Sequence, residues 1–204
     1  MFVSLIMEVI NYIGIFAFAA SGALKAMEKQ LDLLGAIVLG FVTSLAGGII
    51  ADILLGIFPP VNLVYLPYPI TAIISVFLII LIRKNLTKIS KKLLYFDAIG
   101  LGAFTAFGAQ LAYFHNLNIL GVAIVASITA TGGGAIRDIL VSEIPLILRK
   151  DFYATPSIIG GFVFYIVSLR FLDYISLILT FLLVTSIRLI AIKKKWELPK
   201  INII

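Results

Sequence analysis

Apolar residues follow one another in long runs along this chain, and short polar segments separate the runs. Each run is about 18 to 25 residues long, which is the length that a helix needs to cross about 30 Å of hydrocarbon. The pattern therefore predicts seven membrane-spanning helices. They are expected at residues 4–26, 33–57, 64–82, 94–114, 118–141, 155–172 and 174–192.

The composition supports a membrane protein and excludes several kinds of site. Of the 204 residues, 62% are hydrophobic and 13% are charged, and the mean hydropathy is +1.17. Soluble domains carry about 25% charged residues, so we expect an all-α integral membrane protein with a single transmembrane domain over residues 1–204. The chain has no cysteine and only one histidine, His115. We therefore expect no transition-metal site and no cofactor, and no enzyme, since no nucleophile, base and orienting group occur together.

The cations mark one side of the predicted helices. If the N-terminus is outside, Arg170 alone faces outward and Arg137 lies at membrane depth, while every other cation is cytoplasmic. The cytoplasmic set is Lys25, Lys29, Arg83, Lys84, Lys88, Lys91, Lys92, Arg149, Lys150, Arg188, Lys193, Lys194, Lys195 and Lys200. This predicts a multi-pass protein of the cell membrane with a cytoplasmic C-terminus. The net charge of +6 is then explained by basic segments that contact anionic lipid headgroups, without a nucleic-acid partner. The basic tail 193–204 is either a membrane anchor or a regulatory lipid site.

The chain repeats itself at an offset of 86 residues. Residues 14–59 align with 100–145 without a gap and share about 18 identities in about 46 positions. Each copy contains three predicted helices, so the second copy enters the membrane upside down. The sequence predicts an inverted 3+3 repeat, with repeat 1 at about 4–82, repeat 2 at about 94–172 and an extra helix at 174–192.

Glycines interrupt the second and fifth predicted helices at equivalent positions. Glycine allows the backbone to bend, and inverted repeats place their binding or permeation sites on interrupted helices, so we expect both helices to be broken there. Hydroxyls and charges share the glycine-bearing faces. The candidate pathway residues are Thr43, Ser44, Gly47, Gly48, Asp52, Thr129, Gly132, Gly133, Gly134, Arg137 and Asp138.

Two structural explanations compete with a role in permeation. Small residues also let membrane helices pack closely. Asp52 or Asp138 would form an ion pair with Arg137 if these charges only stabilised the bundle. Phe18 and Phe104 occupy equivalent positions in the two copies, where they either pack together or form a hydrophobic gate.

Gly-Gly-x-x-x-Asp at residues 47–52 and Gly-Gly-Gly-x-x-Arg-Asp at residues 132–138, together with the repeat and seven runs, resemble the prokaryotic branch of the TRIC (trimeric intracellular cation) channels. The resemblance covers nearly the whole chain. It implies a homotrimer with a pore in each subunit, which conducts K⁺ more readily than Na⁺ and contacts membrane lipids. It also implies that the glycines are helix breaks and that Asp52, Arg137 and Asp138 lie near the conduction path. The alternative is a secondary transporter of a small solute such as glycine, because carriers are also built from inverted repeats.

Overall fold

The structure, a computed structural model of the chain, describes residues 2–82, 89–149 and 152–196, and within these ranges it is helical and contains no strand. Arg83, Lys84, Lys88, Lys150 and the basic tail beyond Trp196 lie outside the described residues. Seven helices have at least three turns, and two further helices, α3 and α7, have one turn each. Their bounds are α1 Phe2–Glu28, α2 Leu33–Leu54, α3 Val61–Val64, α4 Pro67–Leu81, α5 Ile89–Phe114, α6 Ile119–Leu140, α7 Leu146–Arg149, α8 Thr155–Ser168 and α9 Asp173–Lys194.

The seven long helices coincide with the seven apolar runs, and the prediction of an all-helical fold is confirmed. Most of α1, together with α2, α6 and α9, is long and apolar enough to cross a membrane, whereas α4 and α8 are apolar but shorter. Large apolar side chains cover the outside: Leu34, Leu81 and Leu182 are 68%, 76% and 56% exposed. An outer surface of this kind suits contact with lipid.

The ends of the helices recur at the same 86-residue offset as the sequence. Asp32 caps α2, because its Oδ1 accepts a hydrogen bond from the Gly35 amide at 2.7 Å. Asn118 caps α6 in the same way, accepting from the Gly121 amide at 2.9 Å. The turns before these caps contain left-handed residues at equivalent positions, with φ of 55° at Gln30 and 58° at Asn116. The local geometry therefore repeats together with the sequence.

The predicted breaks in the second and fifth helices are wrong. Both α2 and α6 continue as α-helix through their glycines, and each is 22 residues long. The physical reason is that the missing glycine side chains make room for a neighbouring helix, so the backbone has no cause to leave its own hydrogen bonds. The close-packing explanation therefore accounts for this part of the sequence.

Candidate functional site

The two glycine-bearing helices cross each other in direct backbone contact. A Cβ added to Gly47 of α2 would overlap the Thr129 carbonyl oxygen of α6, and a Cβ added to Gly133 would overlap the Thr43 carbonyl oxygen. These two contacts exchange under the 86-residue offset, and they show that α2 and α6 run antiparallel here. The hydroxyls of Thr43 and Thr129 donate to carbonyl oxygens of their own helices, at 2.5 Å and 2.6 Å. The crossing is therefore closely packed and its hydroxyls are already paired.

The other glycines at this crossing have different neighbours. Asn62 lies over Gly48, where its Nδ2 also donates to the Leu45 carbonyl oxygen at 2.9 Å. The Tyr153 hydroxyl lies over Gly134, so each repeat places one polar side chain on the second glycine of its pair. Gly132 is only partly buried, and a Cβ there would first meet the end of the Ile50 side chain at 3.3 Å. Among the three adjacent glycines, only Gly132 has room for a side chain.

The candidate gate residues Phe18 and Phe104 pack against each other inside the bundle. Their ring centroids are 5.2 Å apart in an edge-to-face arrangement, and both side chains are buried. Each ring also lies directly on a glycine of the opposite helix, Phe104 on Gly14 and Phe18 on Gly100. These contacts again exchange under the repeat, and they bring α1 and α5 together.

The two predicted aspartates perform the same structural task in the two repeats. Asp52 Oδ2 accepts a hydrogen bond from the Val61 amide at 2.8 Å, where α3 begins. Asp138 Oδ2 accepts from the Leu146 amide at 2.9 Å, where α7 begins. Each carboxylate therefore compensates the free amides at the start of a short helix and ties it to the end of α2 or α6.

Arg137 is completely buried and is held by a cluster that the sequence analysis did not anticipate. Its Nε donates to Asp138 Oδ1 at 2.9 Å, and its Nη1 donates to Asp97 Oδ1 at 2.6 Å and to Ser21 Oγ at 3.0 Å. The expected ion pair with Asp138 is thus present, but Asp52 is not among the partners of Arg137. Asp97 was missed, and it is the second acidic partner.

A signal for Asp97 was available in the repeat. The first copy has Asn11 where the second has Asp97, and Ala51 where the second has Arg137. A charge added at each of two positions, with opposite signs and in the same copy, is the pattern expected of an ion pair. Looking for shared residues alone hides such paired differences.

One cavity lies at each end of the α2–α6 crossing. The Asp52 cavity has a volume of about 270 Å³ and is lined by Met7, Glu8, Gly48, Asp52, Val61, Asn62, Tyr68, Phe107 and Leu111. The Asp138 cavity has a volume of about 160 Å³ and is lined by Lys25, Glu28, Ser90, Leu93, Leu94, Arg137, Asp138 and Leu146. Several lining positions are equivalent in the repeat, including Met7 with Leu93, Glu8 with Leu94 and Leu111 with Lys25.

The two cavities approach each other from opposite ends of the bundle. Asp52 follows Gly47 by five residues in α2, and Asp138 follows Gly133 by five residues in α6, so each lies about 7 to 8 Å along its helix from the crossing. Because α2 and α6 are antiparallel, these displacements point in opposite directions. The crossing therefore separates the two cavities.

Comparison with known proteins gives the family. A family model described as "Glycine transporter" matches residues 8–84 and 94–168. The UPF0126 membrane protein YvgT of Bacillus subtilis (strain 168) is 37% identical over 196 residues, which cover 94% of this chain and 95% of that protein. A structure described as the basis for conductance through TRIC cation channels is 52% identical, with a TM-score of 0.87 and coverage of 96% of this chain and 97% of the other. The chain belongs to the TRIC channel family.

A second solved TRIC relative gives the same result. A prokaryotic TRIC channel crystallised in 0.5 M KCl is 43% identical, with a TM-score of 0.91 and coverage of 96% of this chain and 100% of the other. The resemblance to TRIC channels seen in the sequence is thus confirmed. Together with the apolar helices, these membrane-protein relatives make this TRIC family member a multi-pass membrane protein.

The mouth of the Asp138 cavity contains a network of ion pairs that the sequence analysis also missed. Lys25 Nζ lies 2.8 Å from Glu143 Oε2 and 3.1 Å from Glu28 Oε2, and Lys29 Nζ lies 2.8 Å from Glu143 Oε1. Ser90 donates to Glu28 Oε1 at 2.7 Å. Hydrogen bonds from Lys25 and Lys29 lower the pKa of Glu143 to about 2. Within the part of the chain that the structure describes, no group of acidic and histidine side chains is arranged to hold a metal ion.

The Glu143 ion pairs are expected to be insensitive to pH in the physiological range. Because its folded pKa of about 2 lies below the ordinary value of 4.5, Glu143 contributes its full stabilisation above pH 4.5 and loses it as the pH falls toward 2. The difference in melting temperature between wild type and Glu143→Gln should therefore be constant from about pH 8 to about pH 5.5 and shrink below that range. A difference that already shrinks between about pH 8 and pH 6 would contradict this assignment.

Proposed function

We propose that this TRIC family member is a cation channel that conducts K⁺ in preference to Na⁺, with one pathway through each subunit of a homotrimer. The two cavities that approach the α2–α6 crossing from opposite ends carry this proposal. Carboxylates line both of them, Glu8 and Asp52 in one and Glu28 and Asp138 in the other. Among the described residues that line the Asp52 cavity, no cation offsets the carboxylates, and negative charge in a cleft concentrates cations. The solved relatives, described as TRIC cation channels, support the same function.

In this proposal the described conformation is closed, and the crossing and the phenylalanine pair form the closure. Phe18 lies between Glu8 and Lys25 along α1, and Phe104 lies between Leu93 and Leu111 along α5, so the rings lie between the cavities. An apolar constriction of this kind blocks ions because it excludes their hydration water. Conduction then requires α2 and α6 to slide at their glycines, where no side chains interlock. Such sliding exposes Thr43, Ser44 and Thr129 to the pathway.

We further propose seven transmembrane helices, arranged as an inverted 3+3 repeat plus a seventh helix, with the N-terminus outside. The exchange of the Gly47 and Gly133 contacts and of the Phe18 and Phe104 contacts supports the repeat. The end of α1, the start of α5 and the end of α9 lie together and carry Lys25, Lys29, Lys91, Lys92, Lys193 and Lys194. Positive charge collects on the cytoplasmic side of membrane proteins, which makes this end of the bundle cytoplasmic.

A carrier of a small solute such as glycine is the second candidate function. The description of the matching family model supports it, and so do two cavities separated by a closed crossing, since alternating access needs a site that opens to one side at a time. The short chain favours the channel, because about 200 residues leave few helices to rock against each other.

Recordings from purified protein in planar lipid bilayers distinguish the two functions. A channel gives discrete current steps, and with K⁺ and Na⁺ on opposite sides the reversal potential lies toward the K⁺ equilibrium potential. A carrier gives no steps, but proteoliposomes loaded with unlabelled glycine then accumulate labelled glycine by exchange. Chemical cross-linking of the detergent-solubilised protein tests for the trimer. Current steps that show no preference for K⁺ over Na⁺ would contradict the proposed selectivity. Glycine exchange without current steps would favour the carrier over the channel.

A further inference from the structure

Lys25 is a buried cation at the entrance of a cavity that the proposed function assigns to cations. It is only 6% exposed, although its ammonium lies near the end of α1. Two carboxylate oxygens contact it, Glu143 Oε2 at 2.8 Å and Glu28 Oε2 at 3.1 Å. Oxygens at these distances from one positive centre are also what a K⁺ ion requires in place of its hydration water.

The position of Lys25 distinguishes the two cavities. In the Asp52 cavity the equivalent residue is Leu111, and the charged lining residues there are the two carboxylates Glu8 and Asp52. In the Asp138 cavity, Lys25 and Arg137 balance Glu28 and Asp138. Arg137 is paired deep inside with Asp97 and Asp138. Lys25 is therefore the buried, cavity-lining cation at the entrance, beside the more exposed Lys29.

We propose that Lys25 is a tethered cation that occupies, with its own ammonium, the position at which a permeating K⁺ binds at the entrance of the Asp138 cavity. K⁺ displaces the ammonium from Glu28 and Glu143 when it enters, and Lys25 thereby limits conductance at low K⁺ concentration. This inference rests on the proposed channel function. The side chain determines how tightly K⁺ binds at the entrance, and Glu28, Glu143 and Ser90 provide the oxygens.

Lys25→Met tests the inference, and Lys29→Met is the matched control. Lys29 is the next basic residue of the same segment and also contacts Glu143, but its side chain is 36% exposed and it does not line the cavity. At about 20 mM symmetric K⁺, where screening is weak, Lys25→Met should raise the single-channel conductance at least about threefold, and the conductance should saturate at a lower K⁺ concentration. Lys29→Met and Lys25→Arg should saturate as wild type does.

Thermal stability tests the proposed K⁺ site independently of electrical recording. A ligand that binds only the folded protein raises its melting temperature. Replacing choline chloride by KCl at equal concentration should therefore stabilise Lys25→Met more than wild type or Lys29→Met, in which the Lys25 ammonium competes with K⁺. The double variant Lys25→Met/Glu143→Gln, which lacks one carboxylate, should lose that response.

The two measurements separate failure of the inference from failure of the channel function. Normal K⁺ currents with wild-type saturation in Lys25→Met, and no K⁺-specific stabilisation beyond that of wild type, would overturn the role of Lys25 and leave the channel intact. Glycine exchange with no current in any variant would overturn the channel, and with it the role of Lys25 in conduction. If Lys25→Met does not fold, Lys25→Gln replaces it in both measurements under the same criteria.

Discussion

Replacing Gly133 by alanine is expected to be among the most damaging single-atom additions in this protein. The new methyl group would overlap the Thr43 carbonyl oxygen, which belongs to helix backbone and has no rotamer to change. The two helices would have to separate along the crossing, at a cost of about 3 kcal/mol or more. We expect a drop of about 6 to 12 °C in the apparent melting temperature of the detergent-solubilised protein. Gly47→Ala should behave alike, because its methyl group would overlap the Thr129 carbonyl oxygen.

The adjacent residue provides the control for Gly133→Ala. At Gly132 a methyl group meets only the end of the Ile50 side chain, and α6 gains up to about 1 kcal/mol because alanine favours helix over glycine. The first repeat already has alanine at the equivalent position, Ala46 in α2. Gly132→Ala should melt at the wild-type temperature or slightly above it. Equal damage from Gly132→Ala and Gly133→Ala would show that the glycines serve backbone flexibility, not the crossing.

The contrast between Gly132 and Gly133 explains why the sequence predicted the helices well but the glycine segments poorly. The seven apolar runs determine where helices form, because burial of backbone polar groups in lipid permits few alternatives. A glycine by itself, however, is compatible with a bend and with a close approach. The choice between them depends on which atom of another helix lies opposite, here the carbonyl oxygens of Thr43 and Thr129. That information belongs to tertiary packing.

The ion pairs were only partly predictable for a related reason. Arg137 and Asp138 are neighbours in the chain, so their pairing was among the alternatives considered from sequence. Asp97 lies on α5, 40 residues away, and only the comparison with Asn11 in the first repeat indicates it. The network of Lys25 with Glu143 joins the end of α1 to the segment after α6, across 118 residues. The equivalent positions, Leu111 and Ile57, are apolar, so no second copy of this pair exists to indicate it.

Removing Arg137 is expected to destabilise the protein strongly, and a second substitution should restore much of the loss. Arg137→Ala leaves Asp97 and Asp138 buried without their cation, and breaking a buried ion pair from one side costs about 3 to 5 kcal/mol. The double variant Asp97→Asn/Arg137→Ala copies the residues of the first repeat, Asn11 and Ala51. Asp138 would then resemble Asp52, whose carboxylate is held by a backbone amide without any arginine.

Thermal unfolding in detergent measures this compensation. We expect the double variant to recover more than about half of the melting-temperature loss of Arg137→Ala, because no uncompensated charge remains at position 97. Asp97→Asn alone should be intermediate, since Arg137 keeps its bonds to Asp138 and Ser21. If the double variant is as unstable as Arg137→Ala, the guanidinium stabilises the bundle through the volume it fills and not through its charge. Recovery would instead mean that the second repeat added the arginine and its aspartate as one unit to a scaffold that folds without either.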